Sequence, residues 1–342
     1  MRIETVSDDE GARRWDAWVA PRTRTVTDLF AWRHVVRDAY GLGSHLLVAV
    51  DDEGRTRGSL GLYEVRHPLF GHYLVTAPFA NDGGLHYDDP SARDLLLAEA
   101  RRICAERRAS HVVIRTRGED LPGFTPDHRY HTADVDLEGG AAALWKRLPA
   151  KTRNQVRRGQ KEGFEVRAGA AEIEPFYRVF HAHMRELGSP AHALRYYELI
   201  AKHLGDHARF IVVREGDTLV AGALLFTIND TAANLQTVAL REYNRRCPNY
   251  LLYWHMLETS CEAGCTRFDM GRSVEGGPNL AFKENWNPVV SPLSYNYHLR
   301  TLADVPFVDP RNPRYRLAIA AWRRLPLSLT RALGPHLISG LA

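Results

Sequence analysis

Apolar residues recur along this chain with two periods, and the alternation between them lays out the elements. Over 8–20 and 28–40 the spacing is helical: Phe30, Val35, Val36 and Ala39 share a face, Asp28 is placed to cap, and Gly41 ends the run. LLVAV (46–50), the turn DDEG, and apolar runs near 57–65 and 72–77 read as an antiparallel meander. After the polar loop PFANDGGLHYDD, a helix over about 91–108 offers Leu95, Leu96, Ala98, Ala100 and Ile103 for burial, and HVVIR (111–115) follows as a buried strand. The predicted order is α-α-β-β-β-α-β.

The second half repeats it. Helices near 173–187 and 192–204 precede RFIVV (209–213), the turn REGD, strands at 218–228 and about 231–238, a helix over about 248–263 closed by Gly264, and RFDM (267–270). LLVAVDDEGRTRGSLGL and FIVVREGDTLVAGALLF match in kind, so the pattern predicts an internal duplication whose halves pack side by side around a ligand cleft. The fold class expected is α/β (α+β), with mixed, mostly antiparallel sheets flanked by helices.

Between the halves, ALWKRLPAKTRNQVRRGQKEGFEV carries seven basic residues before its first acid, Glu162. Pro149 should split it into two helices. On the second, Arg153 and Arg157 share a face, with Lys151 and Arg158 at its side, a candidate polyanion-binding set; the alternative is a solvated helix docked lightly through Val156. After Asp309 the tail has Arg311, Arg314, Arg316, Arg323, Arg324 and Arg331 and no acid, interleaved with an apolar run. It either lies on an anionic membrane surface or packs as a cover on the second half, with Pro326 and Pro335 breaking its helix.

Length and composition add bounds. The 342 residues suit about two domains, and 44% apolar content is ordinary for a globular protein. A net charge of +4 is too weak to identify a nucleic-acid binder. Four cysteines without a CxxC pair predict reduced thiols and no metal site. An acidic N-terminus and the lack of a long apolar run predict a cytoplasmic protein, with the tail as its peripheral contact at the inner membrane face.

The densest candidate chemistry lies at 266–298. Asp269 and Arg272 flank the end of a strand, Gly271, Gly276 and Gly277 permit sharp turns, and Lys283 follows. The bland alternative is a loop with a structural Asp–Arg pair. A second cluster is VALREYNRRCPN (238–249): Arg241, Tyr243, Arg245, Arg246 and Asn249 stand before a helix whose first turn contains Pro248, where free N–H groups favour anions. The matching first-half loop, 78–90, has acids and no basic residue, so an anion is expected only in the second half. Tyr295 and Tyr297 are candidate donors, though alternating aromatics on a strand also suit a core. None of the 16 histidines stands in a triad.

The element order resembles the acyl-CoA N-acetyltransferase (GNAT) fold, in which the donor's pyrophosphate sits at the loop equivalent to 238–249; the glycines usual there are absent. LPAKTRNQVRRGQKEG, HMRELGSP, PNYLLYWHMLETSCEAGCTRFDMGRS, FKENW, SYNYHL and PRNPRYRLAIAAWRRLPL together resemble the FemAB-like branch of that superfamily, closest to FemAB-related proteins of exosortase/PEP-CTERM and exopolysaccharide clusters. The resemblance implies two tandem GNAT-like domains and transfer of an acyl or aminoacyl group to an amine. By motif position it implicates Asp269, Arg272 and Lys283 in catalysis, while Asn287 and Met270 depart from the usual pattern. It also implies no tightly bound cofactor, a donor that is aminoacyl-tRNA or acyl-CoA, and an amine acceptor on a nucleotide- or lipid-linked precursor.

The expected layout is an N-terminal domain at 1–138, a basic helical linker at 139–163, a C-terminal domain at 164–300 and an amphipathic helical tail at 301–342. Arg272 and Lys283 are expected to stabilise charge, Asp269 to orient Arg272 rather than accept a proton, and Arg241, Arg245 and Arg246 to clamp an anion in the same cleft. Two alternatives remain: an acyl-CoA enzyme acting on a small amine, and a non-catalytic module that binds RNA or membrane.

Overall fold

The chain begins with a short strand, β1 (Arg2–Val6), that the hydrophobic pattern does not reveal. The computed structural model describes residues 1–306 and 313–342, with side chains from Arg316 onward in the second stretch, so the tail's Arg311 and Arg314 side chains lie outside the described residues. After β1 come α1 (Asp9–Val19) and α2 (Phe30–Tyr40), then β2 (Gly43–Val50), β3 (Thr56–His67), β4 (Gly71–Val75), the short β5 (Leu85–Tyr87), α3 (Pro90–Glu106), β6 (His111–Thr116) and β7 (Thr125–Asp136). The period of two along β2 sets the layers. Leu46, Val48 and Val50 pack with Trp15, Val19 and Phe30 of the first two helices. Leu47 and Ala49 pack on the other face with Leu96, Leu97 and Ala100 of α3.

Asp28 does not cap α2: the residue before that helix is Leu29, which makes no side-chain cap bond. Asp28 is instead buried and accepts bonds from Thr23 Oγ1 (2.8 Å), Gly84 N (2.7 Å) and His86 (2.8 Å). Three donors, one of them the main chain of a distant loop, outweigh the single cap bond an exposed turn would supply.

The second half follows the same plan. Helices α4 (Gly140–Arg147) and α5 (Ala150–Lys161) meet at Pro149 as expected. Then come β8 (Glu165–Ala168), α6 (Ile173–Leu187), α7 (Leu194–Leu204), β9 (Ala208–Glu215), β10 (Thr218–Ile228), β11 (Thr231–Ala239), α8 (Pro248–Glu262), β12 (Arg267–Asp269), β13 (Ser273–Val274), α9 (Pro278–Glu284) and β14 (Val289–Leu299). The duplication is visible strand by strand. β1 and β8 each pair antiparallel with the next strand, β2 or β9, and β4–β6 and β11–β12 are parallel pairs at matching places in the two halves.

Two compact units result, with limits that differ from the expected 1–138 and 164–300. The first unit holds Met1–Tyr130 together with the segments that begin at Pro292 and at His336; the second holds His131–Ser291 and the tail up to Pro335. The physical reason is an exchange of last strands. β14 pairs antiparallel with β6 of the first unit (Tyr295↔Arg115, Tyr297↔Val113), while the second part of β7 pairs antiparallel with β12 of the second (Phe268↔Val135, Asp269↔Asp134). The linker helices also belong to the second unit: Leu144, Leu148 and Val156 share a core with α8 and β12.

The tail forms α10 (Pro313–Arg324) and α11 (Leu327–Ile338), and α11 runs through Pro335 rather than stopping there. Its inner face packs on the second unit: Trp322 donates to Ser189 O (3.1 Å), and Arg185 donates to Leu325 O (3.2 Å). No helix among the described residues is long and apolar enough to cross a membrane.

Candidate functional site

Asp269 closes β12, only 3% exposed, and the chain turns at once through Gly271 at φ +80°. Its carboxylate accepts from Thr132 Oγ1 of β7 and from Gly271 N, both at 2.7 Å. Twelve residues after that turn, α9 brings Lys283 back to it. The ammonium donates to Gly271 O (2.5 Å) and Arg272 O (3.1 Å), and the residue is 6% exposed. Burial lowers the Lys283 pKa to about 8; Asp269 acts against that shift and Arg272 with it.

The segment carrying Lys283 is held from two sides. Phe282 and Trp286 pack on Tyr250 and Tyr253 of the first turns of α8, and Trp286 is fully buried. Thr152 of α5 donates to Asn285 O (2.5 Å). On the segments that form this corner three buried polar atoms have no hydrogen-bond partner, Ser273 Oγ, Asn249 Oδ1 and Trp286 Nε1. The arrangement is a buried cation beside a buried carboxylate at a strand end, with nearby polar atoms able to receive a ligand. Thr132 and Ser273 were not singled out by the sequence, because their role depends on β7 lying beside β12.

The arginine loop divides. Residues 241–246 form a 3-10 turn, and Cys247, at φ +60°, leads into α8 with no side-chain cap on the helix's first N–H groups. Arg246 is committed to the protein: it pairs with Glu162 (2.5 Å) and Glu215 (2.6 Å) and lies over Phe164. Tyr243 is half-buried, edge-on to Phe164. Arg245 is exposed, and Arg241 borders a cavity of about 230 Å³ shared with Arg178, His183, Glu186 and Glu242. Neither Arg272 nor Lys283 lines that cavity, so the expected common cleft is not the space Arg241 faces.

Other candidates are placed elsewhere. Tyr295 and Tyr297 belong to the first unit with β14. Tyr295 donates to Asn81 O (2.9 Å), and burial pushes the Tyr297 phenol up to about 12. Both are buried and belong to the first unit, whereas Asp269 belongs to the second. Arg153 is partly committed to the protein through one nitrogen of its guanidinium. Its guanidinium donates to Leu148 O (2.7 Å), Lys146 O (3.3 Å) and Trp145 O (3.4 Å), closing the C-terminus of α4. Arg157 lies over the Trp145 ring and Arg158 approaches Glu162 at 4.0 Å, while Lys151 is exposed.

The first unit contains a cavity of about 260 Å³ that the sequence reading missed, lined by Arg22, Arg24, Asp28, Asp82, Arg115 and Arg117 among others. Arg117 pairs with Asp82 at 2.8 Å, so the acidic loop is not without a cation. The available signal was the duplication itself, since Arg115 and Arg117 stand at and just past the end of β6 as Asp269 and Arg272 do at β12.

Comparison with known proteins agrees with this architecture. The family model described as an acetyltransferase (GNAT) domain matches residues 149–284. No curated protein matches the sequence. The fold is that of FemX, at 15% identity and a TM-score of 0.68 over 93% of this chain and 100% of that one. L-PGS from Bacillus licheniformis aligns at 13% identity and 0.57 over 95% and 100%. A tandem GNAT protein from the clavulanic acid biosynthesis pathway aligns at 16% and 0.54 over 86% and 97%. The chain therefore has a tandem GNAT-like fold, and it is the second unit that contains the matched acetyltransferase domain.

Proposed function

We propose that the protein is an acyltransferase of the FemAB-like kind, moving an acyl or aminoacyl group onto an amine of a cell-envelope or exopolysaccharide precursor. The observation that carries this reading is Lys283, a buried cation held on two main-chain carbonyls at the end of β12, inside the acetyltransferase-like region. In the reaction the amine nitrogen forms a bond to the donor carbonyl carbon, the ester C–O or thioester C–S bond breaks, and the proton lost by the nitrogen ends on the departing oxygen or sulfur, which leaves as a hydroxyl or thiol. Negative charge develops on the carbonyl oxygen. A preorganised cation in a dry site stabilises that charge far better than water does.

The remaining candidates take supporting roles. Asp269, bonded to Thr132 and Gly271, holds the turn and, through its charge, opposes loss of the Lys283 proton. Arg272 is exposed at the mouth of that turn, and Arg241 and Arg245 with the uncapped start of α8 suit the phosphates of the donor, aminoacyl-tRNA or acyl-CoA. The FemX and L-PGS folds favour the envelope reading. The acetyltransferase domain match favours a second one, acyl-CoA transfer to a small amine.

Turnover with aminoacyl-tRNA and with acyl-CoA donors against amine acceptors decides between them. Lys283→Met is expected to lower kcat by about 100-fold or more with little change in donor KM. Unchanged turnover in that variant and in Arg272→Ala would remove the site.

A further inference from the structure

Among the described residues the tail has an inward face packed on the second unit and an outward, exposed one. Inward, Trp322 is 9% exposed and bonded to Ser189, Ile319 lies against Gly188, and Thr330 is fully buried. Outward, α10 presents Leu317, Ala321 and Arg324 at i, i+4 and i+7, and α11 presents Leu329, Ala332 and Leu333 at i, i+3 and i+4. Leu317 is 74% exposed, Leu329 48% and Leu333 47%. Single exposed leucines are common, but three on consecutive helices are not scattered. Beside them stand the exposed Arg316 and Arg324, while Arg323 donates to Leu187 O and Arg331 lies over the Tyr177 ring, and residues 313–342 contain no Asp or Glu.

We propose that the outward face of α10 and of the Leu327–Pro335 part of α11 docks on an anionic lipid bilayer. The charge selects an anionic partner, and the leucines select one with a hydrocarbon boundary in which they lose contact with water. Arginine suits that boundary, because its aliphatic stem lies along apolar surface while the guanidinium reaches phosphate. A single-stranded nucleic acid would call for aromatic stacking platforms. The only aromatic residue between 316 and 335 is Trp322, and it faces inward. The helices would lie on the surface, the inner face keeping its bonds to the second unit. This inference stands independently of the transfer reaction.

The test is co-sedimentation of the full chain with vesicles of phosphatidylcholine alone and of phosphatidylcholine with phosphatidylglycerol. Binding is expected only with phosphatidylglycerol, weakening as salt is raised, since each arginine near an anionic surface is worth about five-fold in partition. Leu317→Ser/Leu329→Ser/Leu333→Ser and, separately, Arg316→Gln/Arg324→Gln should each lower the partition about ten-fold or more while the melting temperature stays that of the parent. Should the triple variant melt early, Leu317→Ser alone decides, at the most exposed of the three positions. The proposal is overturned by a parent chain that stays in the supernatant with anionic vesicles, by variants that bind as the parent does, or by RNA binding that survives loss of the leucines while the vesicles are ignored.

Discussion

Lys283 is a cation kept charged by its contacts and pressed toward neutrality by its surroundings. With a pKa near 8, it carries its proton at neutral pH and gives it up just above. If the charged form stabilises the reacting carbonyl oxygen, the transfer rate falls as pH rises through about 8, and Lys283→Arg moves that limb to higher pH. A pH–rate profile of the two proteins checks it; a limb that rises through the same point would make Lys283 a base instead. The folded pKa lies below the ordinary 10.5, so stability associated with this group increases as pH climbs from 8 toward 10.5, and Lys283→Met should flatten that rise. Glu64 behaves in the opposite part of the scale. Burial alone would raise it, but hydrogen bonds from Arg107, Arg66 and His72 outweigh burial and hold it at about 2. Its contribution is present above the ordinary 4.5 and lost as pH falls from there toward 2. Glu64→Gln should cost about 1–2 kcal/mol at neutral pH, kept modest because Arg66 and Arg107 are solvated, and should remove part of the acid transition in urea titrations.

Between elements, one close approach that bears on the site is that of α5 to α8. A Cβ on Gly159 would lie 2.8 Å from Cys247 O and 3.1 Å from Leu251 Cβ. Alanine gains about 1 kcal/mol in helix propensity. Cys247 O, however, accepts the Leu251 N–H and cannot retreat without opening the first turn of α8. We expect Gly159→Ala to destabilise by about 1–3 kcal/mol in denaturant titrations and to lower turnover, because that turn presses Tyr250 and Tyr253 against the segment carrying Lys283. Most of these elements were legible: the limits of β10 and α6, and the break at Pro149, agree with the pattern, since period and punctuation are local properties. β1 and β8 were not, being short strands whose stability comes from β2 and β9. Site residues divide similarly. Asp269 and Lys283 were visible as a motif and do come together at one turn, whereas Arg153 and Arg246 look free in sequence and are bound by carbonyls and carboxylates that no spacing rule identifies.

At the scale of the whole molecule, the duplication could be read from matching turns, and the exchange of last strands could not, because either strand could equally have paired within its own repeat. That exchange has a consequence for how the chain is made. On the ribosome, β6 is finished at Thr116, but the strand that covers its edge begins only at Val289. The first unit therefore emerges with an open β-edge and stays incomplete while more than a hundred residues are added, the situation in which unpaired strands aggregate. A fragment ending at Tyr130 should be insoluble or bind a hydrophobic dye, and supplying 289–306 as a separate peptide should recover soluble material; a fragment that folds alone without the peptide would count against this order of events. Quality control of the nascent chain, rather than the thermodynamics of the finished one, would then set how much active protein a cell obtains.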